Sequence, residues 1–146
     1  MLWWWKNGVR DEKYLGIPYT LTTPGSSETS EEITYPDYFV MSTDGHIWVL
    51  EVKDINDAGG SEGGATSCKA KGLDAWAAAM NASRSTSEEL LELPAVTALV
   101  VVPSALDDEN VSVKYGSAAD WKAPTPANHS TGAGWTTLKF PDAPKK

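Results

Sequence analysis

Between Tyr35 and Lys53 aromatic and branched residues alternate on either side of an Asp44-Gly45 pair, a pattern that fits little except a β-hairpin. Tyr, Phe, Val, Ile and Trp suit a pleated surface, and glycine accepts the positive φ of a tight hairpin turn. The expected strands are 33–42 and 46–53. A side-chain period of two puts Ile47, Val49, Glu51 and Lys53 on one side of the second strand and Trp48, Leu50 and Val52 on the other. An acid and a lysine thus end an otherwise apolar strand. Charges there are costly unless paired, metal-bound or open to water. Asp37 enters the first strand directly after Pro36, and antiparallel pairing brings it towards Glu51. Two neighbouring carboxylates repel, and a hard divalent cation relieves that repulsion.

The other elements follow from periodicity and punctuation. Trp3-Trp4-Trp5 cannot all face one side of a regular element, so a short buried turn or strand start with one ring left for a partner is expected. Gly16–Thr23 reads as a first strand near an edge, because of Pro18. Pro24–Thr34, rich in Gly, Ser, Thr and Glu, reads as a mobile loop bordering the cleft. The glycines of Asp54–Gly64 make a hinge and not a phosphate loop, since no Gly-Lys-Ser/Thr follows.

Ser67–Ala82 has helical spacing, with Thr66 or Ser67 as N-cap, and Ala70, Leu73, Ala77 and Met80 facing a sheet. Lys69 flanks that buried face. Ser85-Thr86-Ser87-Glu88 has capping-box spacing for a short helix before Pro94. Ala95–Val102 is continuously apolar and suits a central strand covered on both faces. Val111–Tyr115 reads as a short alternating strand and Trp135–Phe140 as a last edge strand, with Trp121 and a Pro/Gly linker between them. The expected fold is α/β: a mixed central sheet carries the hairpin beside strand 95–102, with helix 67–82 on one face. A single domain over 1–146 is expected, with a core of about 14–115 and a C-terminal extension of 116–146.

A chain of 146 residues with 41% apolar content and seven Trp is long enough for one real core. One cysteine, Cys68, excludes an internal disulfide framework and fits a reducing compartment, so a cytoplasmic location is expected. No apolar run reaches membrane-spanning length. Two histidines and one cysteine argue against a zinc site; His46, in the turn, is expected at the surface, and His129, in a flexible segment, is given no role. The net charge of −8 opposes strong phosphate binding by the chain alone.

Pro36-Asp37 followed by Glu51-Val52-Lys53 resembles the PD-(D/E)xK nuclease superfamily, most closely the C-terminal endonuclease domain of Type III restriction enzymes and related helicase-associated nucleases. The likeness spans roughly Trp3 to Asn81. It includes Trp4-Trp5-Lys6-Asn7 ahead of the hairpin, and Lys69-Ala70 and Trp76 on the helix after it. It implies a restriction-endonuclease-like fold and a Mg²⁺-dependent endonuclease acting on DNA or other nucleic acid, with Mn²⁺ as a substitute. Asp37 and Glu51 would hold the ion, with the Val52 carbonyl as a further oxygen donor. Lys53 would act on the water and the developing charge, and Lys69 would reach the site or a nearby phosphate. Related domains carry an N-terminal helix, often with an acidic residue that assists the metal. The residues here begin where that helix would end, which implies a second chain completing the domain, a helicase or motor subunit, or a homo-oligomer. The residues by themselves leave two other readings open: a non-catalytic interaction module, and a structural protein in which Glu51 and Lys53 form an edge ion pair.

Overall fold

The expected hairpin forms, and it lies inside a larger sheet. In chain order the elements are β1 (Trp3–Lys6), β2 (Ile17–Thr22), β3 (Thr29–Thr34), β4 (Tyr38–Met41), β5 (Ile47–Val52), α1 (Ala65–Ser85), β6 (Val96–Pro103), β7 (Val111–Lys114) and β8 (Trp135–Leu138). The computed structural model describes residues 3–8, 12, 15–23, 25–54, 57–59, 64–86, 92–103, 111–114, 121 and 135–138. Six strands form one mixed sheet in the order β1-β4-β5-β6-β7-β8, while β2 and β3 form a separate antiparallel pair. Within the sheet only β5 and β6 run parallel.

The turn shows why Asp44-Gly45 is needed. Gly45 has φ +80°, and its N–H donates to the Ser42 carbonyl at 3.0 Å, while the Ser42 N–H donates to His46 O at 2.9 Å. This three-residue loop, closed by a left-handed glycine, sets the register of Tyr38 against Leu50 and Met41 against Ile47. The ordered strand is shorter than expected. Tyr35, Pro36 and Asp37 link β3 to β4, and Ile33 and Thr34 belong to β3.

β6 is buried on both faces, from Ala98 through Val102. On one face Ala98, Val100 and Val102 join Val49, Ile17, Leu73 and Ala77, with Trp121 and Trp135 completing the cluster. On the other face Leu99 and Val101 pack with Val40 and Leu50. Trp121 donates from Nε1 to Ala58 O at 2.9 Å, and β8 extends the main sheet.

Helix α1 is longer than its expected 67–82. Its N-cap is Gly64, without a side-chain cap, and the Ser67 hydroxyl donates back to Gly64 O at 2.7 Å. Ser85 closes α1 instead of opening a second helix; residues 87–91 of the expected capping box lie outside the described residues. Ala70, Leu73 and Ala77 are buried as expected, whereas Met80 is exposed. Asn81 clasps the start of β6, its amide donating to Val96 O at 2.8 Å and accepting from Val96 N–H at 2.9 Å.

Thr29–Thr34, expected as loop, forms β3 and pairs with β2 residue by residue. Its first four residues are polar and exposed, so no alternation betrays the strand. β2 lies against α1, which in turn packs on β6. Trp3–Trp5 form the strand β1 at one end of the sheet order, with all three rings exposed, so the expected burial does not occur. No helix among the described residues is long and apolar enough to cross a membrane.

The seam between β2 and α1 depends on Gly72. A Cβ there would sit 2.4 Å from Tyr19 Cβ and 3.0 Å from the Pro18 carbonyl. Alanine gains about 1 kcal/mol in intrinsic helix propensity, but overpacking against a strand backbone costs about 1–3 kcal/mol. Gly72→Val, bulkier still, is expected to lower the thermal midpoint clearly and Gly72→Ala to lower it less. A raised midpoint in both would mean that the seam yields.

Candidate functional site

Glu51 comes where β5 leaves the apolar core. The alternation that buries Val49 puts Glu51 on the same face, 3% exposed, and a carboxylate there requires compensating charge. It gets two lysines on one oxygen. Lys53 Nζ lies 2.9 Å from Glu51 Oε1, and Lys69 Nζ lies 3.4 Å from the same atom. Lys53 follows two residues along the chain, whereas Lys69 arrives from the start of α1. Glu51 Oε2 is buried with no hydrogen-bond partner among the described residues.

Asp37 approaches from the other arm of the hairpin. Its N–H donates to Leu50 O at 2.8 Å, and its Oδ2 accepts from Val52 N–H at 2.8 Å. The side chain thus caps the backbone of β5 beside Glu51. Asn7, quoted above only as part of the N-terminal likeness, holds this entry in place. Its backbone N–H donates to Asp37 O at 2.9 Å, and its buried amide exchanges two hydrogen bonds with the Leu15 backbone. No sequence signal reveals that clamp, because its partners come from separate segments.

The structure therefore gathers Glu51, Lys53 and Lys69 and puts Asp37 at the same strand end. Val52 contributes its N–H to Asp37. Two further side chains are coupled to the group by charge: Tyr19 on β2, which feels Glu51 and Lys53, and the exposed Asp57 of the short 3-10 turn Asp57–Gly59, which acts on Lys53. Burial pulls the Lys53 pKa down, but the hydrogen bond and charge of Glu51, with Asp37 and Asp57 behind it, outweigh this and hold it above its ordinary 10.5. Lys53 is thus a cation in this site.

Among the described residues no three His, Cys, Asp or Glu side chains converge as a metal cage. Magnesium, however, is commonly held by only one or two carboxylates, with water and substrate phosphate completing its shell. Asp37 and the bare Oε2 of Glu51 suit that smaller donor set. His46, expected at the surface, is half-buried: its Nε2 lies 2.7 Å from Thr97 Oγ1 and its ring packs on Trp48. It stands at the far end of β5 from Glu51. Cys68 is buried near Thr22 Oγ1, at 3.5 Å. His129 lies outside the described residues.

No family model, curated protein or solved structure matches this chain.

Tyr19 gives the site a pH signature. Burial, then the electrostatic influence of Glu32, Cys68 and Glu51, raise its phenol above the ordinary 10.0, with Lys53 opposing. The folded state keeps this proton to higher pH than the unfolded chain does. The stability tied to Tyr19 is therefore complete below about pH 10 and is lost as pH rises through the folded-state pKa. Urea unfolding from pH 8 to 11 should show a shallower alkaline loss in Tyr19→Phe than in wild type. Identical slopes would remove Tyr19 as a source.

Proposed function

We propose that this chain hydrolyses phosphodiester bonds in nucleic acid, with DNA the first candidate, on a restriction-endonuclease-like variant of the α/β sheet. The observation carrying this reading is the state of Glu51. One oxygen of a buried carboxylate is held by two ammoniums and the other is bare, at the strand end that Asp37 caps. The mixed α/β arrangement, with the hairpin beside a parallel strand and α1 joining them, supports the reading.

Asp37 and Glu51 are the residues that would hold Mg²⁺ or Mn²⁺, with the Val52 carbonyl as the further oxygen donor. A divalent ion bound there supplies Lewis-acid stabilisation and a more acidic water. Lys53, kept protonated by its acidic neighbours, orients the attacking water and offsets charge on the phosphoryl oxygens. Lys69, the longer of the two contacts to Glu51, turns to a substrate phosphate. The net charge of −8 implies that grip on duplex is shared with a basic partner chain, such as a motor subunit or a chain completing the domain. A binding module without chemistry is favoured by one observation, the satisfaction of Lys53 and Lys69 by a single oxygen.

Calorimetry separates the two. Mg²⁺ or Mn²⁺ should bind wild type and not Glu51→Ala, with far-ultraviolet dichroism retained in the variant. With Mn²⁺ and linear or single-stranded DNA, Lys53→Ala should lower turnover by ~10²–10⁴-fold while changing metal affinity little. Lys69→Ala should mainly weaken nucleic-acid binding and reduce its salt dependence. Equal metal binding by wild type and Glu51→Ala, or cleavage by Lys53→Ala at the wild-type rate, would refute the assignment.

A further inference from the structure

We infer that Lys69 is a latch on Glu51, so that the group takes up its divalent cation tightly only together with a phosphodiester anion that draws Lys69 away. The inference rests on the metal-binding part of the proposed function and adds what governs it. The two lysines are held unequally. Lys53 follows β5 directly, and its Nζ lies 2.9 Å from Glu51 Oε1, an ordinary length for a charge-assisted hydrogen bond. Lys69 crosses from α1 to the same oxygen and stops at 3.4 Å. Such bonds are usually about 2.7–2.9 Å long, and the stem that spans the gap is flexible. Both lysine side chains are 22% exposed, against 4% for that of Glu51. The carboxylate is the fixed member, and Lys69 is the one able to swing outward.

Formal charge sets the rest. Lys53 and Lys69 cancel Asp37 and Glu51, so the group is neutral as it stands. The two oxygens of a carboxylate are close neighbours, so an ion on Glu51 Oε2 stands near both ammoniums on Oε1. Arriving alone, it leaves two positive charges in excess, and their repulsion is stronger in a partly dry site than in bulk water. A phosphodiester arriving alone brings its negative charge towards two carboxylates. Arriving together, the two ligands offset each other. The cation takes the place of Lys69 on Glu51, and Lys69 meets the phosphate, so that no buried charge is left without a partner. Binding free energies are reciprocal, so each ligand tightens the other by the same factor.

The sharing of Oε1 by both lysines is then the closed state of the latch. Lys53 does not fill this role, because it emerges two residues from Glu51 on the same strand face and stays beside it with or without an ion. In Lys53→Ala the contact from Lys69 remains, which keeps the change in metal affinity small. Lys69 acts with opposite signs on the two ligands: it holds off the cation and helps to hold the phosphate.

The test is calorimetry with Mn²⁺, in sodium chloride and in dimethyl phosphate at equal ionic strength. Dimethyl phosphate is a phosphodiester anion without base or sugar. Wild type should bind Mn²⁺ weakly in chloride and roughly 5- to 150-fold more tightly in dimethyl phosphate. Lys69→Met keeps most of the stem and removes the charge. It should bind Mn²⁺ more tightly than wild type in chloride and gain little from dimethyl phosphate. Lys69→Arg, which keeps the charge, should restore both the weak binding and its dependence on dimethyl phosphate. Lys71→Met removes an exposed charge of α1 outside the group and should behave as wild type. Equal Mn²⁺ affinity of wild type in the two salts overturns the inference without recourse to any variant. So does Lys69→Met binding no more tightly than wild type in chloride, or Lys71→Met matching Lys69→Met. Absence of Mn²⁺ binding in every protein and both salts overturns the metal reading, and the latch with it. Tighter Mn²⁺ binding by Lys69→Met, in a protein whose wild type cleaves no DNA, supports the latch and overturns only the hydrolytic reading.

Discussion

Parallel pairing of β5 with β6 is the constraint on which the rest of the molecule turns. Antiparallel neighbours can be joined by a short turn, as β4 and β5 are; parallel ones need a crossover that returns the chain to the starting edge. The 21 residues of α1 provide that return. The same geometry brings the beginning of the helix to the carboxyl end of β5. Lys69 consequently meets Glu51, although 18 positions separate them. The hydrophobic face of the helix and the ionic contact at its start are two results of one connection. Asn81 fastens the other end of the return to Val96, so both ends of α1 are tied to the parallel pair.

Glu51 is the point of electrical strain in an otherwise apolar strand. A leucine of similar size at that position would join Val49 and Val100 without desolvating a charge, and buried ion pairs seldom outperform such replacements in stability. The arrangement is also incompletely satisfied. Two ammoniums meet Oε1, while Oε2 has no donor among the described residues, a deficit of about 1–3 kcal/mol. Stability alone gives little reason to bury an acid this way. A carboxylate oxygen that is dry, charged and unpartnered is, however, a ready electrostatic receptor for a cation.

The parts of this fold legible in the sequence were those whose side chains carry a period. The hairpin was visible because Gly45 marks its turn and β5 alternates, and β6 because its run is apolar apart from Thr97. β3 was not, since Thr29, Ser30, Glu31 and Glu32 are all exposed and a strand with polar residues on both faces has no pattern to read. The full extent of α1 was obscured by Ser83 to Thr86, whose hydroxyl residues mimic a helix start; Ser85 and Thr86 instead bond back to carbonyls of the last turn. At the site, the Glu51–Lys53 pairing follows from a period of two. The contribution of Lys69 came from helical spacing and resemblance together. Asn7 and Tyr19 were invisible, because each is coupled to this region from a segment distant in sequence; Asp57, four positions after Lys53, lies in a loop with no period to read.

The tryptophans of β1 show how a strand at the end of a sheet can serve two surroundings. Trp4 contacts Tyr38 at 6.0 Å on one face, and Trp5 contacts Phe39 at 5.2 Å on the other. Each ring is held by a neighbour on β4 and still leaves a large area in water. Such exposure carries a hydrophobic cost at about 25 cal/mol per Å² of apolar surface left unburied. Lysine and threonine would fill an edge strand without that cost and would resist aggregation better. What indole offers there, and those residues do not, is a broad π-surface on a rigid mount.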